Sequence, residues 1–203
     1  MNRRAMALAF RSTLAALAAT CTFALGGCNM TPAEQPPLEG AAIGGDFTLT
    51  GKDGQAVKWS DFAGKYRIVY FGYTFCPDVC PLDMQNIAQG LRLFAKEHPD
   101  AKPIVPIFIT IDPERDTAHV VGKYAANFGK NVVGLTGTPA QIADVARKWA
   151  VFYQRRDEGK PDAYLMDHSR AAYLMGPDGS AIALLPAEQD GKAVAAELAK
   201  WVS

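Results

Sequence analysis

The stretch FGYTFCPDVCP, residues 71–81, places two thiols where an apolar run ends and a helical pattern begins. Residues 66–75 are rich in β-branched and aromatic side chains, which predicts a strand. The segment after Pro81 has its apolar residues at helical spacing. The N-terminus of a helix exposes unpaired N–H groups and a partial positive charge, which favour a thiolate. Because a thiolate is both a nucleophile and a metal ligand, Cys76 and Cys80 are candidates for a redox pair, a metal site or a structural disulfide.

The segments on either side of this stretch alternate between strand and helix patterns. Strands are predicted at 46–51 and 56–62 around a turn, at 104–111 and 131–137, and within 164–186 as two strands around the turn Gly176–Gly179. Helices are predicted from Pro81 to about Glu97, from a Thr117 cap to about Phe128, over 138–151 and from Ala193 to Trp201. This order predicts an α/β fold with a mixed central sheet flanked by helices.

The N-terminus reads as a processing signal. Arg3, Arg4 and Arg11 precede an apolar run, residues 13–25, that is too short to span a membrane. The run ends in LGGC, Leu25 to Cys28, which resembles the lipobox of bacterial lipoproteins. The resemblance implies cleavage after residue 27, lipid on the sulfur of Cys28, and an exported protein anchored on the periplasmic side of a membrane. Residues 28–45, rich in Pro, Gly and Ala, are then a flexible tether, and residues 46–203 are the domain.

Charge and cysteine counts narrow the function classes. The chain has 21 basic and 21 acidic residues, and removal of residues 1–27 leaves 18 basic residues against 21 acidic ones. This balance, without a dense basic patch, argues against nucleic-acid binding. Cys21 lies in the signal and Cys28 at the lipidation site, which leaves Cys76 and Cys80. One close pair is no disulfide framework for such a domain, and it closes too short a loop to restrict the unfolded chain much.

The spacing of the two cysteines favours a metal without excluding redox chemistry. Helical residues i and i+4 lie about 5–6 Å apart at Cβ, whereas a disulfide needs about 3.8 Å. A metal about 2.3 Å from each sulfur bridges that gap more easily, although the first cysteine precedes the regular helix and can flex. Of the three histidines, His98 and His119 read as surface residues near helix ends. His168 lies at a strand edge beside Asp167, and the residues alone do not decide whether it is a third ligand or a solvent-facing histidine.

Four motifs in order resemble the Sco/SenC family of copper proteins. They are FGYTFCPDVCP (71–81), TIDPERDT (110–117), VVGLTGT (132–138) and YLMDHSRAAYLMGPDG (164–179), and the resemblance covers about Gly45 to Val202. It implies a thioredoxin-like fold with an added N-terminal β-hairpin, and it implies Cys76, Cys80 and His168 as ligands of copper, as Cu(I), Cu(II) or both. The implied acceptor is the dinuclear copper centre of cytochrome c oxidase subunit II, with another periplasmic copper chaperone or a thiol reductase as further partners.

Five residues near the implied ligands carry weaker expectations. Phe75 stands where many family members have histidine, and because this position is no ligand we expect little effect on binding. Asp167 is a candidate to orient the imidazole, although neighbouring strand residues point to opposite faces. Asp78 is a candidate helix cap, and Met84 is expected in the core. Tyr73, together with Phe75, is expected to shield the site from water.

Two functions remain after this step. The first is a copper metallochaperone rather than an enzyme. The second is a thiol–disulfide oxidoreductase that keeps the copper-site cysteines of the oxidase subunit reduced. Against the second, the pair is spaced C-x-x-x-C rather than C-x-x-C, and DHSRAA lacks the proline that thioredoxin-like oxidoreductases place opposite their active site. A peroxidase is less favoured, because Tyr73 occupies the position of the expected Thr or Ser. A structural zinc site would be incomplete with three ligands.

Overall fold

The computed structural model describes residues 34–157 and 163–202, and within them nine strands and four α-helices follow one another. The strands are β1 Thr48–Thr50, β2 Ala56–Lys58, β3 Tyr66–Gly72, β4 Ile104–Thr110, β5 Val133–Leu135, β6 Tyr153–Arg156, β7 Leu165–His168, β8 Ala172–Met175 and β9 Ala181–Leu185. The helices are α1 Val79–Glu97, α2 Ala118–Ala126, α3 Pro139–Lys148 and α4 Gly191–Trp201.

A mixed five-stranded sheet in the order β5-β4-β3-β8-β9 forms the centre of the fold. Strands β3, β4 and β5 are parallel, whereas β8 is antiparallel to β3 and β9 is antiparallel to β8. Strands β1 and β2 form a separate antiparallel hairpin, and so do β6 and β7. The mixed sheet, its flanking helices and the N-terminal hairpin confirm the architecture predicted from the sequence.

All seven residues of β3 are buried, because helices cover both faces of the central sheet. Alternate side chains of the strand enter two different layers. Tyr70 stacks on Phe108 and bonds to a residue of α1, whereas Phe71 packs against Trp149 at the end of α3. Strand β3 therefore fixes the position of the chain that follows it, which carries both cysteines.

Helix α1 packs tightly against α4. A Cβ atom added at Gly90 would approach a methyl carbon of Val194 to 2.4 Å, a distance that real side chains do not adopt. Glycine at this position thus lets the two helices approach each other closely. Since α1 also carries Cys80, this contact holds the cysteine-bearing helix on the sheet.

Two predicted strands differ from the structure. Residues 59–62 form a short 3-10 helix instead of continuing β2, because Trp59 and Phe62 are three residues apart and both turn into the core. The stretch predicted as one strand around His168 is two strands, β7 and β8, interrupted at 169–171. Strand β7 pairs with β6, whereas β8 joins the central sheet beside β3.

Two helices begin earlier than the sequence pattern indicates. Helix α1 starts at Val79, so Pro81 lies in its first turn, where a missing N–H is tolerated. Helix α4 starts at Gly191, with Asp190 as the cap that accepts the N–H of Ala193 at 2.8 Å. The cap predicted at Thr117 is formed.

Part of the predicted tether lies on the domain. The N–H of Leu38 donates to the carbonyl of Ile182 at 2.9 Å, and the N–H of Gly44 donates to that of Lys148 at 3.0 Å. The compact unit accordingly starts at Gln35 rather than at residue 46. The predicted signal peptide, residues 1–27, and the lipidation site Cys28 lie outside the described residues. Within the part of the chain that is described, no helix has the length and apolar character needed to cross a membrane.

Candidate metal site

Three ligand-type side chains meet where β3 ends. Cys76 lies in the loop after β3, Cys80 lies in the first turn of α1, and His168 is the last residue of β7. One ligand atom from each residue lies within 4.8 Å of the others. The Sγ atom of Cys80 is 3.2 Å from Nε2 of His168, across 88 residues of sequence. The structure thus brings together the three residues that the sequence resemblance implied as ligands.

The Cys76 sulfur takes the place of a helix cap. The N–H of Cys80, one of the unpaired amides at the start of α1, donates to Sγ of Cys76 at 3.4 Å. The N–H of Cys76 itself donates to the carbonyl of Tyr73 at 3.2 Å, which closes the loop into a turn. Asp78 occupies the N-cap position but makes no side-chain cap bond, so the capping role expected for its side chain is wrong.

The two thiols have opposite shifts of pKa. The hydrogen bond from Cys80 is the largest cause that lowers the pKa of Cys76, and a hydrogen bond with His168 and the N–H groups of Asp78 and Cys80 lower it further, against the effect of burial. The pKa of Cys80 is raised, first by its hydrogen bond to Cys76 and then by burial. In the metal-free pair these opposite shifts favour the thiolate at the half-buried Cys76 and the thiol at the buried Cys80.

Backbone rather than a carboxylate orients the imidazole. Nδ1 of His168 lies 2.9 Å from the carbonyl oxygen of Ser169, and because a carbonyl can only accept, the ring proton is on Nδ1. Nε2 is then the ring nitrogen that faces Cys80. Asp167 points to the other face of β7 and lies 3.5 Å from Arg156, so the orienting role considered for it is wrong.

Tyrosine rings enclose the imidazole. Tyr70 and Tyr73 both meet the His168 ring edge-on, with centroids 6.4 and 6.0 Å away and interplanar angles of 88°. Tyr73 is 2% exposed, which confirms its expected role as a shield. Phe75 is 54% exposed and packs against the guanidinium of Arg115, so the same expectation for Phe75 is wrong. Met84 is buried in the core, as predicted.

A buried carboxylate that the sequence reading missed fixes the loop of Cys76. Asp116 accepts hydrogen bonds from the N–H and hydroxyl of Thr74 at 2.9 and 2.5 Å and from the hydroxyl of Thr110 at 2.6 Å. Burial is the largest influence on Asp116 and raises its pKa, against the effect of these donors. The sequence feature that contains Asp116 is the motif TIDPERDT, in which Thr110 and Asp116 are now seen to bond to each other. Asp116 ties the end of β4 to the residue two positions before Cys76.

The arrangement suits a soft metal ion. Two sulfurs and one imidazole nitrogen favour Cu(I), and imidazole also accommodates zinc and Cu(II). A structural zinc site normally has four protein ligands, and the three residues above are the group of metal-ligating side chains found in the described chain. Both cysteines are free thiols, which also leaves them available to form a disulfide.

Comparison with known proteins identifies the relatives of the chain. Residues 35–203 match the model of the SCO1/SenC family. The protein SCO2 homolog, mitochondrial, of Bos taurus is 41% identical over 143 residues, which are 70% of this chain and 53% of that protein. The protein SCO1 homolog 1, mitochondrial, of Arabidopsis thaliana is 43% identical over 145 residues, 71% of this chain and 42% of that protein. The chain thus spans about half the length of these curated relatives.

Solved structures agree with this assignment. Arabidopsis thaliana ScoI with copper bound has 35% identity and a TM-score of 0.72, covering 78% of this chain and 96% of that one. Bradyrhizobium japonicum ScoI with copper bound has 36% identity and a TM-score of 0.69, covering 78% and 99%. With the topology described above, these similarities confirm the predicted thioredoxin-like fold with its N-terminal hairpin.

Proposed function

This chain belongs to the SCO1/SenC family, and we propose that it is a copper metallochaperone. It binds copper through Cys76, Cys80 and His168 and delivers the ion to the dinuclear copper centre of cytochrome c oxidase subunit II. The single observation that supports this most strongly is the convergence of two sulfurs and one imidazole nitrogen within 4.8 Å. Solved relatives at 35% and 36% identity hold copper. The assignment of the acceptor rests on the family resemblance.

The unequal exposure of the two sulfurs fits the handover of an ion. Cys80 is buried, whereas Cys76 is half-buried and already a thiolate in the metal-free pair. An acceptor thiolate therefore approaches from the Cys76 side, forms a new copper–sulfur bond and replaces the bond to Cys76. Each later exchange replaces one ligand of this chain by one of the acceptor, so the oxidation state of copper does not change.

A competition titration of the reduced full chain with a Cu(I) chelator tests the ligand set. Cys76→Ser and Cys80→Ser are each expected to weaken Cu(I) binding at least about 100-fold, because a soft thiolate ligand is lost. His98→Ala is the matched control for His168→Ala, because His98 stacks on Phe94 at the far end of α1. Unchanged binding of both copper oxidation states in all three ligand variants would exclude the site.

Delivery is tested separately. The copper-loaded full chain is mixed with the copper-free soluble domain of subunit II, and the spectrum of the dinuclear centre is followed. Cys76→Ser is expected to abolish formation of the centre, whereas His98→Ala transfers copper like the unchanged chain. If chelator-buffered copper forms the centre as fast as copper from the loaded chain does, a chaperone role is ruled out.

The alternative function is a thiol–disulfide oxidoreductase acting on the cysteines of the oxidase subunit. It is supported by the lowered pKa of the half-buried Cys76, with Cys80 adjacent as a resolving thiol. The Cys76 thiolate would attack a disulfide sulfur of the target, and Cys80 would then displace the target thiol, which leaves Cys76–Cys80 oxidised and the target reduced. Trapping a mixed disulfide with Cys80→Ser would support this activity, and its absence with an oxidised subunit II peptide would count against it.

We also propose that the protein is exported and held on the periplasmic side of a membrane by lipid on Cys28. The support is the sequence LGGC at residues 25–28 with a basic and apolar stretch before it. Mass spectrometry of the protein from membranes is expected to find an acylated Cys28 as the first residue. A Cys28→Ser chain that still fractionates with membranes would contradict this anchor.

A further inference from the structure

Asp83 is a carboxylate with no solvent exposure, and it does not belong to the ligand set. Its Oδ2 atom accepts the hydroxyl of Tyr70 at 2.8 Å. The guanidinium of Arg170 donates to both oxygens, at 2.6 Å from Nη2 and 3.1 Å from Nε. A buried charge is expensive unless it is paired and fully hydrogen-bonded. The bidentate ion pair and the tyrosine provide this pairing.

The ion pair runs beside the contact between two ligands. Cys80 and Asp83 are three residues apart on α1 and lie on its buried face. His168 and Arg170 are two residues apart where β7 ends. Three residues of a helix span about 4.5 Å, and two residues of an extended chain span about 6.6 Å. Because these lengths are similar, two contacts between α1 and the chain at the end of β7 fit side by side. Cys80 meets His168, and Asp83 meets Arg170.

His168 depends on such a contact because its strand is not part of the central sheet. We call β6 and β7, Tyr153–Arg156 and Leu165–His168, the ligand hairpin. The N–H of Ser169 donates to the carbonyl of Phe152, and the Ser169 hydroxyl accepts the Phe152 N–H, so these bonds return to the residue just before β6. Arg170 instead crosses to α1, the helix that carries Cys80.

Tyr70 connects the ion pair with the imidazole ligand. Its hydroxyl donates its one proton to Asp83. Its ring meets the imidazole of His168 edge-on. Displacement of Arg170 therefore leaves Asp83 without its charged partner and disturbs the tyrosine that contacts the imidazole of His168.

We propose that the Asp83–Arg170 ion pair determines which oxidation state of copper the site favours, because it holds His168 at the Cys80 sulfur. This inference rests on the proposed copper-binding function. Two soft thiolates satisfy Cu(I), whereas Cu(II) requires the harder imidazole nitrogen as well. Loss of the ion pair thus weakens Cu(II) binding more than Cu(I) binding. Asp83 and Arg170 are positioning residues for the third ligand.

The expected loss of Cu(II) affinity follows from the usual effect of residues that orient metal ligands. Their loss typically weakens metal binding about 10–100-fold. If the whole loss falls on Cu(II), the reduction potential of the bound copper rises by about 59 mV for each tenfold change, since the couple transfers one electron. A defect in stability alone would not change the ratio of the two affinities.

The test measures Cu(II) and Cu(I) affinities of the full chain by chelator competition and the copper potential by redox titration. Arg170→Gln is expected to weaken Cu(II) binding 10–100-fold and Cu(I) binding less than threefold. Arg170→Lys keeps the charge but loses the bidentate geometry, so it should recover part of the Cu(II) affinity. Asp144→Asn removes an ion pair of α3 with Arg147 and Lys148 and serves as the matched control with no change.

Arg170→Gln leaves a buried, unpaired carboxylate and for that reason destabilises the fold. The double variant Asp83→Asn/Arg170→Gln removes both charges, and it is expected to regain stability while the copper potential stays raised. An unchanged ratio of Cu(II) to Cu(I) affinity in both variants overturns the inference. His168→Ala separates failure of the positioning role from failure of the proposed ligand set. If it lowers Cu(II) affinity while Arg170→Gln does not, only the positioning role fails. If His168→Ala changes neither affinity, the proposed ligand set fails.

Discussion

The imidazole of His168 is oriented by its own chain neighbour, since its Nδ1–H donates to the carbonyl of Ser169 at 2.9 Å. A metal-ligating histidine commonly donates its other ring N–H to a carboxylate, a backbone carbonyl or water, and a carboxylate partner can be removed by mutation. Here the partner is backbone at the point where β7 ends. The turn after the strand, rather than the identity of residue 169, decides which ring nitrogen faces the sulfurs.

The first prediction concerns the tautomer of this ring. Nitrogen-15 NMR of the metal-free, reduced chain at pH 8 is expected to show His168 with its proton on Nδ1, because the carbonyl of Ser169 can only accept. Ser169→Ala is the control that removes the hydroxyl and keeps the backbone, so the same tautomer should persist. An unprotonated Nδ1 in the metal-free chain would contradict the described hydrogen bond.

The second prediction uses the lowered pKa of Cys76. Iodoacetamide is expected to alkylate Cys76 at a rate that is constant between pH 6 and 8, because the thiolate is already fully formed there. An ordinary cysteine, with a pKa of about 8.5, slows about tenfold for each pH unit below that value. Alkylation of the buried Cys80, whose pKa is raised, should be much slower. Mass spectrometry of the time course measures both rates.

The control for this experiment is Cys80→Ala, which removes the largest cause of the lowered pKa of Cys76. The alkylation rate of Cys76 in this variant should regain a dependence on pH as its pKa rises. A constant rate in both chains would assign the thiolate to another cause.

The third prediction concerns the buried Asp116. Asp116→Ala leaves the N–H of Thr74 and the hydroxyls of Thr74 and Thr110 without their acceptor, so it should destabilise the fold by about 2–4 kcal/mol. Urea unfolding followed by far-ultraviolet circular dichroism measures this loss. Asp144→Ala, which removes a solvent-exposed carboxylate, should change stability far less than Asp116→Ala does. An equal loss in the two variants would show that Asp116 has no special part in fixing the loop.

The fourth prediction concerns the contact of α1 with α4. Gly90→Ala places a methyl group 2.4 Å from a side-chain carbon of Val194 and should destabilise the protein by about 1–3 kcal/mol. Adding Val194→Gly, which removes both the methyl carbon at 2.4 Å and the Cβ at 2.6 Å, should relieve the overlap and restore part of that loss, although it also creates a cavity. Gln85→Ala, at an exposed position of α1, is the control with little effect. If Gly90→Ala is stabilising, the helices are not held as closely as described.

The fifth prediction concerns the departure from the family at residue 75. Phe75→His is expected to change Cu(I) affinity less than about threefold, because the side chain is 54% exposed and contacts Arg115 rather than the ligands. Chelator competition measures this. A tenfold or larger gain in affinity would show that residue 75 reaches the metal when it is histidine.

The sequence predicted the main elements and the three residues that meet at the candidate metal site, but it did not predict the ligand hairpin. Four polar residues, 167–170, lie between the apolar residues of 164–166 and 171–175, but a polar run of this length does not by itself mark where β7 ends. The break arises from pairing: β7 alternates between exposed and half-buried residues beside β6, whereas all of β8 is buried beside β3. Which partner a strand selects is a tertiary property that local pattern does not encode.

The two buried carboxylates were missed for a related reason. Asp83 and Asp116 have no solvent exposure, yet acidic residues are normally read as surface positions. Asp83 does have a signal in the sequence, because it lies on the same helical face as Cys80 and Ile87, which are apolar and buried. Its partner Arg170 is 87 residues away, and spacing alone cannot join the two.

The sequence separation of 88 between Cys80 and His168 also imposes an order on biosynthesis. A chain made from its N-terminus presents both thiols long before the ribosome adds the histidine. During that interval the pair is a two-coordinate trap for stray metal and an easy target for oxidants. Loading with metal only after folding would therefore protect the protein from capturing the wrong ion.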